Sequence, residues 1–284
     1  MDGTATALEV CPDGKSLAVG NAEKDLIIIR TFKNSDFEET DRQQRHNSRI
    51  VDIAFNPTAD LIATCSNEAN VYITSYKAGT AKIGSGSMKI KMNDAVRVVR
   101  FVEDHFTHSN LLVSGVGRRI CITDCSSGTT FKDFVGHTGT VTSLFMWGGC
   151  MFASSSSDKT IRVWDMRVAE SIRIFDPLPK PALGATTFQV DSTGRLLFRG
   201  DGAGLIHVID ISSNKKINSK KLLNSPITYL QISRSKRFLL AVDQQTIQLC
   251  DYSDICCVPA PSLISNVESK FVAARLDFHI RFDV

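Results

Sequence analysis

Six residues, Arg30, Ser75, Asp124, Asp165, Asp210 and Asp251, each close a short apolar run and follow one another at separations of 45, 49, 41, 45 and 41 residues. A period of roughly 40 to 45 residues is what a repeated unit of four short strands leaves in a sequence. The clearest copy spans Gly136 to Asp176 and contains four runs: Val141 to Phe145, Met151 to Ser154, Thr160 to Trp164 and Ser171 to Phe175. Gly, Asp and Ser separate them, and these residues turn a chain rather than extend it. Sustained helical periodicity is hard to find, so the chain reads as all-β.

Naming the four strands of a unit a to d, the same grammar recurs along the chain. Strand a is read at Ala5 to Val10, Ile50 to Phe55, Val96 to Phe101, Ala185 to Val190 and Ile227 to Ile232 in the other copies. The units run from about 5 to 45, 46 to 92, 93 to 135, 136 to 176, 177 to 221 and 222 to 260, with a partial copy over 268 to 284. A single four-stranded sheet cannot bury both faces, so such units must pack as blades about an axis, forming a β-propeller. One domain over residues 1 to 284 is expected. Its fourth strands are the weakest signals: Met88 to Met92 in blade two, and Ile255 to Val258 in blade six. The Gly/Ser-rich stretch Ala78 to Ser87 reads as a flexible loop. Phe271 to Leu276, with Ile280 beyond, reads as the start of a seventh blade. The expectation is therefore a seven-bladed propeller with an incomplete last blade, truncated or completed by another chain; six blades with a stray terminal strand is the alternative.

Composition narrows function by exclusion. Thirty-three Lys and Arg against thirty Asp and Glu leave a formal charge of +3, too little to imply a nucleic-acid partner. The eight cysteines sit mostly in apolar runs without a CxxC pair, as reduced, buried small hydrophobes do. No apolar run approaches a membrane span, and a cytoplasmic protein without metal or cofactor is expected. His105 and His108 lie in one loop with Asp104, but two imidazoles and a carboxylate on a loop make an incomplete metal site, and a solvated loop is the simpler reading.

Blade four carries the motifs. Gly136-His137, Asp158 and Trp164-Asp165 resemble the signature of WD-repeat propellers, with Thr123-Asp124, Ile209-Asp210 and Cys250-Asp251 as degenerate counterparts elsewhere. The resemblance implies a hydrogen-bonded relay of His137, Ser154, Asp158 and Trp164. Ser, His and Asp together also suit a hydrolase, but a GxSxG elbow is missing and blade architecture explains the spacing, so no catalytic residue is assigned. Trp164-Asp165-Met166-Arg167 fits the WDxR box of WD-repeat substrate receptors of cullin-type ubiquitin ligases, in which Arg167 would meet an adaptor. An ordinary surface Arg capping its strand is the plainer account. Arg195, Lys215, Arg234, Lys236 and Arg237 gather on one rim of blades five and six, a candidate surface for an acidic partner.

A closer resemblance is scattered over Leu61 to Ser66 after Arg45-His46, Ile122 to Cys125 with the following Ser-Ser-Gly, Gly136 to Val168, and Glu268 to His279. These stretches are similar to the C-terminal propeller of nemitin-type, microtubule-associated WD-repeat proteins of neurons. That resemblance implies a protein-interaction scaffold at the cytoskeleton, with microtubule minus-end-binding proteins or tubulin as partners. Proteins of that type also carry N-terminal LisH and CTLH modules, which this sequence does not show, so roles tied to those modules do not carry over.

Overall fold

The computed structural model describes residues 4–31, 37–102, 110–177, 187–233 and 236–256, and the short strand Asn266–Glu268. Its strands form six four-stranded sheets, each ordered in space as in sequence. Blade one comprises β1 (Ala5–Val10), β2 (Ser16–Asn21), β3 (Asp25–Thr31) and β4 (Phe37–Gln44). Blade two comprises β5 (Ile50–Phe55), β6 (Leu61–Ser66), β7 (Asn70–Lys77) and β8 (Lys82–Lys91). Blade three comprises β9 (Val96–Phe101), β10 (Leu111–Val116), β11 (Arg119–Asp124) and β12 (Thr129–Val135), and blade four β13 (Val141–Trp147), β14 (Met151–Ser156), β15 (Ile161–Asp165) and β16 (Ser171–Phe175). Blade five comprises β17 (Thr187–Val190), β18 (Leu196–Gly200), β19 (Leu205–Asp210) and β20 (Lys215–Lys221), and blade six β21 (Tyr229–Ile232), β22 (Phe238–Val242), β23 (Thr246–Asp251) and β24 (Asn266–Glu268). The chain divides into two compact units, residues 1–158 with 164–171 and residues 159–163 with 172–284. Blades one to three lie in the first, and blades five and six in the second.

Six blades are present among the described residues, which corrects the seven-bladed expectation. The fourth strand of blade six is β24, paired to β23 through Ile247↔Val267, so Glu268 completes the sixth blade instead of opening a seventh. At the place expected for that strand, Tyr252–Cys256 is a helical turn, α1. Asp251 accepts the Ser253 backbone N–H at 2.9 Å and its hydroxyl at 2.6 Å, an N-cap that starts a coil where the sequence suggests extension. Ile255 is then fully buried beside Phe198, Leu239 and Cys250. The stretch from Phe271 to Ile280 and the loop with His105 and His108 lie outside the described residues.

Blade two holds a second difference. Much of the Gly/Ser-rich stretch is strand, because β8 starts at Lys82, leaving a short turn after Lys77. Its register runs from Tyr76↔Ile83 to Thr74↔Ser87, so Gly84, Ser85 and Gly86 bulge opposite Ser75. Blade one fixes that bulge from outside: Asp41 accepts the Ile83 N–H at 2.8 Å, and the Arg45 guanidinium donates to the Gly84 and Ser85 carbonyls at 3.1 and 2.8 Å. Local composition argues for a loop, and contacts from β4 and its flank override it.

The repeat is more regular in three dimensions than in sequence. Blades one to four each carry a bulge one residue into strand a, at Thr6, Val51, Arg97 and Thr142. Near the end of strand b, Gly20, Gly115 and Gly200 sit where the next blade begins. A Cβ added at Gly115 would lie 2.6 Å from Val98 and 2.9 Å from Val141, and one at Gly200 would lie 2.9 Å from Ile227. The apolar clusters occupy these seams. Ala18, Ile28, Ile50 and Ile62 fill the seam between blades one and two, Cys65, Val71, Val96 and Leu112 the next, and Val113, Ile120, Val141 and Leu144 that between blades three and four. In the second unit Ile206, Ile227 and Leu239 do the same between blades five and six.

Overpacking a closed core costs about 1 to 3 kcal/mol. Gly115→Val should therefore lower the urea midpoint by an amount in that range, whereas Gly86→Ala, with nothing within 4 Å of the added carbon, should not lower it. Equal midpoints for the two variants would show that the seam is not closely packed.

Candidate functional site

Blade four brings His137, Ser154, Asp158 and Trp164 within hydrogen-bonding distance of one another. His137 Nδ1 lies 2.9 Å from Asp158 Oδ2 and its Nε2 2.8 Å from Ser154 Oγ, and Trp164 Nε1 donates to the same Ser154 oxygen at 2.8 Å. The Thr138 N–H adds a second donor to Asp158 at 3.0 Å. A neutral imidazole protonated on Nδ1 satisfies every member: Trp164 N–H to Ser154, Ser154 O–H to Nε2, Nδ1–H to Asp158. The chain of bonds ties the approach to strand a, through His137, to β14 and β15. Ser154 and Trp164 have no exposed surface, so the serine-histidine-aspartate arrangement is closed to any substrate. Phe134 and Phe152 pack around the indole, with ring centroids 5.6 and 6.2 Å away.

A second relay, which sequence reading misses, stands in blade two. His46 Nδ1 lies 3.1 Å from Glu68 Oε1 and Nε2 3.0 Å from Thr64 Oγ1, while the Asn47 N–H donates to Glu68 at 2.7 Å. The available signal is spacing. The imidazole precedes its hydroxyl partner by 18 residues here and 17 in blade four, and its acid by 22 and 21. Glu for Asp, Thr for Ser and the lack of a Trp hide the equivalence; Tyr72 meets the His46 ring edge-on at 4.7 Å instead. Blade five has a variant in which His207 bridges Asp201, at 3.1 Å, and Ser219, at 2.7 Å.

The rim residues fall into separate surroundings. Arg195 lies beside Asp210 at 3.7 Å, and Lys236 beside Asp191 at 3.8 Å. The Arg237 guanidinium lies over the Phe238 ring, 5.2 Å from its centroid, and Lys215 is exposed at the start of β20. Arg234 lies outside the described residues. Carboxylates thus share these loops with the cations. Arg167 folds back on its own motif: its Nε and Nη2 donate to Asp165 Oδ1 and Oδ2 at 2.9 and 2.7 Å, and its backbone N–H to Oδ1 at 2.9 Å. The Arg167 guanidinium and N–H hold the Asp165 carboxyl down at about 2, while the Arg167 side chain remains 74% exposed.

The cysteines behave as small core residues. Cys11, Cys65, Cys121, Cys125 and Cys250 are buried, and burial pushes the Cys11, Cys121 and Cys125 thiols up to about 12. They are protonated and unreactive at neutral pH. Among the described residues no helix is long and apolar enough to cross a membrane.

Removing one partner of a buried hydrogen bond strands the other at about 1 to 3 kcal/mol. His137→Ala and Asp158→Ala should each lower the denaturation midpoint accordingly, and two unchanged midpoints would refute the relay. Blade two supplies a pH prediction. Burial holds His46 below its ordinary value of 6.5 against the pull of Glu68. Burial alone would raise Glu68, but the Asn47 N–H and His46 outweigh it and keep the carboxyl below 4.5. A base with a depressed folded pKa contributes full stability above its unfolded value and loses it as pH falls through the folded one. A depressed carboxyl does likewise at lower pH. Stability should thus fall in acid, starting from about pH 6.5, and His46→Gln should flatten the first part of that fall in chemical denaturation. An identical pH dependence in the variant would contradict this.

Comparison with known proteins agrees with the geometry. The family described as WD domain, G-beta repeat, matches residues 38–75 and 128–165. Each match joins the outer strand of one blade to the three inner strands of the next. The chain is 22% identical over 180 residues to mouse pre-mRNA-processing factor 19, covering 60% of the chain and 32% of the relative. It is 23% identical over 213 residues to human apoptotic protease-activating factor 1, covering 73% and 16%. With WD repeat-containing protein 82 of Drosophila melanogaster it shares 26% over 242 residues, 79% of the chain and 68% of the relative. The chain spans about a third of the length of the first of these relatives. WD40 propellers are characteristically non-catalytic scaffolds that present surfaces to other proteins. With two stretches matched to that family and six four-stranded sheets among the described residues, the chain is all-β and resembles the WD-repeat propellers.

Proposed function

We propose that this protein is a non-enzymatic cytoplasmic scaffold that serves as a substrate receptor, with Arg167 as its contact to an adaptor protein of a cullin-type ubiquitin ligase. The Asp165–Arg167 pair carries this reading. A bidentate carboxylate fixes the guanidinium in one orientation while leaving it 74% exposed, so little side-chain entropy remains to be lost when a partner binds. Arginines held in this way are frequent anchors of interfaces. The names of two relatives, a processing factor and a protease-activating factor, describe proteins that act on other molecules, in keeping with a receptor that brings a substrate to a reaction performed elsewhere. The microtubule link rests on the nemitin-type resemblance alone, and the basic rim of blades five and six, Arg195 to Arg237, offers a weaker electrostatic anchor because Asp191 and Asp210 answer two of its charges.

Affinity capture from cell lysate tests the proposal. The wild-type chain should retain a cullin adaptor, and Arg167→Glu should lose it while staying folded at the capture temperature, with a lowered thermal midpoint because the guanidinium pairs with the buried Asp165. Capture of tubulin and minus-end-binding proteins by both forms, without the adaptor, would replace this reading with the cytoskeletal one.

A further inference from the structure

A groove of about 900 Å³ runs between the outer strands of blades two and three, from the turn Met92–Asp94 along β12 to Gly128. We propose that it binds an extended, acidic protein segment carrying an apolar side chain. This goes beyond the adaptor contact, for Arg167 is not among the groove's residues.

Three observations select that ligand. The first is charge: Lys89, Lys91, Arg118, Arg119 and Lys132 line the groove against two carboxylates, Asp94 and Asp133. Asp133 is matched to Arg119 at 3.7 Å, and Lys132 donates its ammonium to the Met166 carbonyl. Lys91 and Arg118, both exposed, stand at the rim end of the groove, and Asp94 is the carboxylate near them. A chain whose formal charge is only +3 concentrates a local excess of cations here.

The second is apolar exposure. Phe131 is 58% exposed and Val135 65%, both on β12, and Met88 on β8 is 36% exposed. Lysines on an outer strand commonly serve to repel other strands, and those of β8 suit that role. Two large apolar side chains on β12 do not, and an exposed aromatic beside cations is what a partner with an acidic and apolar sequence buries.

The third is the backbone. β8 and β12 are each the outermost strand of their sheets, paired to a strand on one side only, with Asp41 and Arg45 of blade one bonding the start of β8. An extended segment can therefore add main-chain bonds to either edge, with side-chain pockets setting specificity. A nucleic acid fits less well, because the groove offers one aromatic face, Phe131, in place of a series for stacking.

Fluorescence anisotropy on the full chain tests the proposal, with a dye-labelled peptide of alternating glutamate and aspartate around one central phenylalanine as the probe. Binding should weaken by about tenfold or more in Lys91→Glu/Arg118→Glu, weaken in Phe131→Ser, and tighten in Asp133→Asn, which releases Arg119 from its partner. The opposite sign of the last variant separates a real site from general damage to folding. Arg167→Glu should bind the peptide as the wild type does, so failure of the adaptor reading and failure of this one are distinguishable. Unchanged affinity in the double variant and Phe131→Ser would overturn the proposal, as would a single-stranded oligonucleotide showing the groove dependence that the peptide lacks.

Discussion

The close approach at three blade seams, each within one compact unit, is the constraint on which the rest of the structure depends. At Gly20, Gly115 and Gly200 the end of strand b meets the first β-branched residue of the following blade, Ile50, Val141 or Ile227, at distances that leave no room for a side chain. That contact sets how near two sheets can stand, and the apolar clusters between blades one and two, three and four, and five and six are built around the same Ile or Val. A sheet with two buried faces has its strands read as nearly continuous apolar runs, as in Leu26 to Ile29 and Leu239 to Val242, and polar alternation is displaced to the outer strands.

Because the inner strands are buried on both sides, polar groups among them must be satisfied internally, and the histidine relays do this. In blade four an indole N–H, a hydroxyl, an imidazole and a carboxylate pass hydrogen bonds in one direction with nothing left over. Blade two repeats the device with Thr64 and Glu68, and His207 in blade five reaches the outer strand through Ser219. The residue types that would suggest catalysis are here sealed from solvent, and this turns a catalytic-looking trio into a structural one. In the readings proposed here, function falls to what the blades present outward: the Asp165–Arg167 pair, and the cations and aromatic between the outer strands of blades two and three.

The sequence by itself determined the repeat period, the all-β class, the inner three strands of most blades and the blade-four relay, because each depends on local patterning: apolar runs of fixed length, turn residues between them and a distinctive His, Asp and Trp spacing. The outer strands were not determined in this way. β4 carries mostly polar residues, β8 begins in a Gly/Ser-rich stretch, and β24 follows a helical turn that Asp251 caps. Their strand character comes from pairing to β3, β7 and β23 and from contacts such as Arg45 to Gly84, none of which leaves a local signature. The blade count followed from one of these pairings, Ile247 with Val267, and the groove beside Phe131 exists only because two outer strands distant in sequence lie side by side. Buried inner strands are specified by their own hydrophobicity; exposed outer strands are specified by their neighbours, so only the tertiary structure decides where they lie.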